Sequence, residues 1–89
     1  LFKKINGNQI TLKMNDEISK CMYDALKLKY HGDFTIAKAS MLVYFNNAVG
    51  IGEHPQHIEE MDKLIATMVD AHDKLTLLEK EFSKFSGNK

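Results

Sequence analysis

The sequence predicts a mainly α fold, a long antiparallel helical hairpin, and three observations carry that prediction. Apolar residues recur every three or four positions over two long stretches, the spacing of one helix face. Between them lies Val49-Gly50-Ile51-Gly52-Glu53-His54-Pro55, where two glycines and the only proline cluster. The 89 residues suit one domain, 1–89, small enough that a core of few long helices is thin.

Residues 1–14 carry the only strand character. Ile10, Leu12 and Met14 alternate with Thr11 and Lys13, and Asn6-Gly7 suits a two-residue turn. The expectation is a short N-terminal β-hairpin or an extended arm that docks on a neighbour. Such a hairpin is marginal in water unless a helix or another copy covers its apolar face.

Residues 15–48 read as the first helix. Asn15 suits the N-cap, with Asp16 and Glu17 favoured in the first turn by the helix dipole. The apolar line runs Tyr23, Leu26, Tyr30, Phe34, Ala37, Met41, Tyr44 and Ala48. It keeps phase through His31-Gly32-Asp33, so one long helix is favoured over two, with Gly32 as the place for a bend or break. Gly32 costs about 1 kcal/mol relative to alanine there.

The turn follows from backbone chemistry. Gly50 suits a left-handed cap with Ile51 folding back onto the helix end, and Pro55 suits the first position of the next helix. Residues 56–85 read as that second helix. Its line is Ile58, Met61, Ile65, Met68, Leu75, Leu78, Phe82 and Phe85, with His72 filling a seven-residue gap, close to a coiled-coil seam. Both helices carry further apolar residues: Leu28, Ile36, Leu42, Val43 and Phe45 on the first, and Leu64, Val69, Ala71 and Leu77 on the second. A stripe wider than one seam implies a second contact surface.

Composition narrows the function. Twelve basic residues balance 12 acidic ones, and there is no arginine. Nucleic-acid binding normally draws its affinity from a basic face and its specificity from the arginine fork, so no nucleic-acid partner is expected. No apolar run reaches the roughly 18 residues needed to span a bilayer, so no membrane partner is expected. The lone Cys21 excludes an intrachain disulfide and reads as a small buried apolar residue. It fits a reducing interior, and the expected location is cytoplasmic.

Chemistry-bearing constellations are few. His54 and His57, with Glu53 and Glu60 nearby, have residue types that hold Zn²⁺ or another divalent ion. The simpler reading puts both histidines on the surface of the loop and first turn, with Glu59 and Glu60 stabilising the helix N-terminus. Glu59, Asp62, Asp70 and Asp73 form i, i+3 pairs on one helix with no facing acidic pairs, a solvated face rather than a Mg²⁺ cradle. No phosphate loop and no Ser–His–Asp set emerges, and no cofactor is implied.

The run Val43-Tyr44-Phe45-Asn46-Asn47-Ala48-Val49-Gly50-Ile51-Gly52-Glu53-His54-Pro55 resembles a stretch in small helical proteins of contractile-tailed marine phages, especially cyanophages. Tyr23-Asp24-Ala25-Leu26 and Asp73-Lys74-Leu75 extend the similarity on either side, while residues 1–14 lie outside it. The resemblance implies a helical fold and a phage origin, hence a host-cytoplasm location, and it names no activity.

The expected function is a non-enzymatic structural or protein-interaction module, a phage accessory protein on that resemblance, assembling through helical surfaces. Its partner would be further copies of itself, in a homo-oligomer, or another protein. Ile51, Glu53, His54 and His57 are the expected specific contacts, because the turn geometry does not require the last three. The alternative is a small divalent-metal site, hydrolytic or structural, at the same turn.

Overall fold

The computed structural model describes residues 7–47 and 54–87, with side chains described over 14–46 and 56–87. Helix α1 spans Gly7–Asn47 and helix α2 spans His54–Phe82; a 3₁₀ turn over Ser83–Ser86 ends the second arm. Among the described residues there is no strand.

Contacts between the arms fix an antiparallel hairpin. The Tyr44 ring lies 5.6 Å from His57, Phe34 lies 6.5 Å from His72, and Lys27 pairs with Glu79 at 3.4 Å. Gly87 closes the 3₁₀ turn at φ 85, and a Cβ there would meet Lys20 of α1 at 2.9 Å. That position favours glycine because its backbone is left-handed, while the Lys20 side chain that a Cβ would meet is flexible enough to move aside. The molecule measures 70 × 23 × 18 Å, the cross-section of two helices side by side. With Lys20 opposite Gly87, the first turns of α1 reach roughly 20 Å beyond that point, at 1.5 Å per residue.

The strand expected over Asn8–Met14 is instead the start of α1, and Gly7 is its first residue. The alternation was ambiguous, because Ile10, Met14 and Ile18 also share a helical face. Adding residues to an existing helix costs less than closing an isolated hairpin. Asn15, Asp16 and Glu17 therefore lie inside α1 rather than at its cap. Residues 1–6 and the turn residues 48–53 lie outside the described residues.

α1 continues through Gly32 without a break. Its inner line matches expectation: Tyr23, Ala37 and Met41 are buried, and Tyr30, Phe34 and Tyr44 are half-buried. Leu26 is the exception, at 41% exposure on the flank.

The line on α2 differs from the expected one. Met61, Met68, Leu75 and Leu78 face α1 as expected, but His57, Leu64 and Ala71 share that face, while Ile58, Ile65 and His72 lie outside it. The observed line, 57-61-64-68-71-75-78, alternates steps of four and three without a gap. Ala71 rather than His72 fills the seven-residue interval. Ala37 and Ala71 are the least exposed side chains of the core, at 2% and 3%. They lie at nearly the same level, beside the Phe34–His72 contact, and small side chains there let the helix axes approach closely. A histidine at 71's place would hold the axes apart.

Candidate interaction surface

The residues expected to be specific divide between described and undescribed segments. Ile51 and Glu53 lie outside the described residues, as does the side chain of His54. His57 is half-buried against Tyr44 near Ser40 and Val43, not a surface residue of the first turn, because it begins the inner line of α2. Among the described residues, no three His, Cys, Asp or Glu side chains come together in a way that could hold a metal ion.

The acidic residues of α2 are spread over solvent. Asp70 accepts from Lys74 at 2.9 Å, Glu60 lies 3.5 Å from Lys63, and Asp73 lies 3.7 Å from the His72 Nδ1. The hydrogen bond that Lys74 donates to Asp70 raises the Lys74 ammonium above its ordinary range, with Coulombic attraction to Asp70 second. Asp24 does the same for Lys20 at 2.7 Å. Exposed pairs of this kind contribute little to stability each. Cys21 is exposed, contrary to the buried position expected from its type. It stands on the side of α1 turned away from α2, seven residues from Leu28 and from Met14.

Two apolar features remain once the inner line is formed. The first is an open groove of about 400 Å³ at the end away from the turn, lined among others by Tyr23, Leu26, Leu77, Phe82, Phe85 and Met22, which it shares with the outer side of α1. Lys74 caps one side, its Nζ 5.8 Å from the centre of the Tyr30 ring. Phe82 and Phe85 continue the α2 line into this groove but stay partly exposed, since α2 gives way to the 3₁₀ turn there. Of its aromatic residues, all expected in the core, Tyr23 is buried and Tyr30 half-buried, whereas Phe82 and Phe85 are exposed.

The second feature is the outer side of α1. Leu28, Ile36, Leu42 and Val43 are exposed there and Phe45 on the flank, as their excess over one stripe suggested. Met14, Ile18 and Met22 join them. Val69 and Leu77 on α2 are exposed too, whereas Leu64 and Ala71 belong to the inner line. Exposure reaches 73% at Leu28 and 70% at Ile36. The ionic groups of α1 gather mostly on a separate strip, where Lys20, Asp24 and Lys27 make their pairs.

The chain exposes 7546 Å². A compact monomer of 10.2 kDa would expose about 5,300 Å², so the extended hairpin carries an excess of about 2,200 Å². No described helix is long and apolar enough to cross a membrane. The chain matches no family model, no curated protein and no solved structure.

Proposed function

We infer that this chain is a non-enzymatic interaction or structural module that assembles through its helical surfaces, most simply with further copies of itself. The observation that carries this reading is the outer side of α1, where large apolar side chains stand in solvent over most of a 41-residue helix. Exposed apolar area of that extent marks an interaction surface on a soluble chain. The excess exposed area supports the same reading, because it exceeds what two partners bury in a standard interface.

The zero net charge and the absence of arginine support a protein partner over a nucleic acid. The exposed thiol of Cys21 supports a reducing compartment, the cytoplasm. A role as a phage accessory protein rests on the resemblance over residues 43–55 alone, and host cytoplasm is its corollary.

Light scattering coupled to size exclusion tests the assembly. The expected result is a mass of twice 10.2 kDa or more at high micromolar concentration. A strict monomer under those conditions contradicts the reading.

A further inference from the structure

The outer side of α1 contains a second line with the same alternating step as the inner one. It runs through positions 18, 22, 25, 29, 32, 36, 39 and 43, and Lys29 is its only charged residue. We propose that this line is a self-complementary interface on which a second copy of the chain lies antiparallel, related by a two-fold axis close to residues 30 and 31. The proposal rests on the assembly reading above and names the surface and the orientation.

The pattern of side-chain size selects the occupant. A two-fold interface must complement itself, each contact occurring twice. With the axis between Lys29 and Gly32, Met22 falls opposite Ala39 of the second copy, and Ala25 falls opposite Ile36. Lys29 then falls opposite Gly32, and Ile18 closes each end against Val43. Every inner position sets a large side chain against a small one, the arrangement that lets two helix surfaces interdigitate without voids.

Gly32 supplies an independent observation. It has no neighbour within 4 Å of where a Cβ would stand, and its backbone is ordinary helix. Neither the fold nor the backbone of this chain requires glycine there, although glycine weakens a helix interior. In the two-fold arrangement the bare backbone at Gly32 receives the alkyl stem of Lys29 from the second copy. The ammonium keeps a carboxylate within reach, since Lys29 pairs with Asp33 at 3.0 Å and Asp33 adjoins Gly32.

A parallel pairing fails on the same residues. Lys29 would face its own copy, and Gly32 would face Gly32 across a gap, so like charge and empty space replace a fit. A stable two-fold dimer buries roughly 800 Å² from each partner, and the outer line offers Met22 and Ile36, both at least 65% exposed, for that burial.

Cysteine pairing tests both the surface and the orientation. On a Cys21→Ser background, one preparation carries Ala25→Cys and a second, distinguishable in mass by a tag, carries Ile36→Cys. Each is oxidised alone and after mixing, then run on a non-reducing gel. The expected result is a disulfide-linked heterodimer in the mixture and little covalent dimer in either preparation alone. Homodimers of each variant alone would show a parallel pairing and overturn the proposal, as would no covalent dimer in the mixture. Light scattering on the same unoxidised samples separates the two levels. Dimers that fail to cross-link overturn this interface and leave assembly standing, whereas monomers overturn both.

Discussion

The inner and outer lines of α1 have the same spacing and opposite fates. Tyr23, Ala37 and Met41 on the inner line are at most 7% exposed, whereas Met22 and Ile36 on the outer line are at least 65% exposed. The inner line is matched within the chain by α2, and the outer line meets solvent. A helix that folds against one neighbour needs one apolar stripe and a polar back. α1 instead has two stripes; Lys20, Asp24 and Lys27 make their ion pairs on one flank, and Lys29 is the one charged residue on the outer line. Folding accounts for the first stripe, and the second is what a partner would use.

Substitutions can break that contrast, and the inner line should respond most. Met41→Asp places a carboxylate at a buried apolar position. It should lose about 3 kcal/mol or more of stability, read as a lowered midpoint in urea unfolding followed by helix content. Leu78→Ala should lose about 2 kcal/mol, toward the low end for such truncations because the two-helix core collapses easily around it.

The same chemistry on the outer line should barely register in folding. Ile36→Asp should leave monomer stability within about 0.5 kcal/mol, because the site is in solvent. It should nevertheless weaken self-association at least tenfold in sedimentation equilibrium. If Ile36→Asp unfolds the chain as Met41→Asp does, the two lines are not separable.

Gly32→Leu sharpens the contrast further, because its two effects have opposite signs. A leucine there should stabilise the monomer by about 0.8 kcal/mol through helix propensity, given the open space around the position. The same leucine should weaken the dimer tenfold or more by filling the space that Lys29 of the second copy would occupy. A variant that is both more stable and equally dimeric contradicts the interface.

The smallest expected effect is electrostatic. Lys20 and Lys74 are raised above the ordinary lysine value by Asp24 and Asp70. A raised folded-state value adds stability that is fully present below pH 10.5 and lost as pH climbs through the folded value. The melting temperature should drift down slightly above pH 10.5. The double variant Asp24→Asn, Asp70→Asn should lack that part of the drift.

Much of this was legible in the sequence, and the exceptions have physical causes. The line from Tyr23 to Tyr44 could be read because its phase survives Gly32. The line on α2 was misread by one residue because Ile58, Ile65 and His72 flank the true seam and fit nearly the same spacing. Only the burial of Ala71 decides between the two, and small residues carry little weight in a hydrophobic pattern. The start of α1 was hidden by alternation over residues 10–14, a pattern that a helix continuing through Met14 and Ile18 satisfies equally well. Excess apolar residues announced a second surface, but their arrangement as a self-matching line depends on which face α2 covers. Of the turn candidates, only His57 has a described side chain, and its ring packs with Tyr44.

Small-angle scattering on the eluting peak of a sizing column tests the central claim most directly, since it reads mass and shape together. Two hairpins pairing side by side along α1 should double the mass. The radius of gyration should stay within about 3 Å of the single chain's 20.7 Å, because helix axes lie only 8–10 Å apart. A monomer mass would contradict assembly. A doubled mass with a longest dimension well above the 70 Å of one chain, on the order of 120 Å at 1.5 Å per helical residue, would place the contact at the open groove and contradict the pairing along α1.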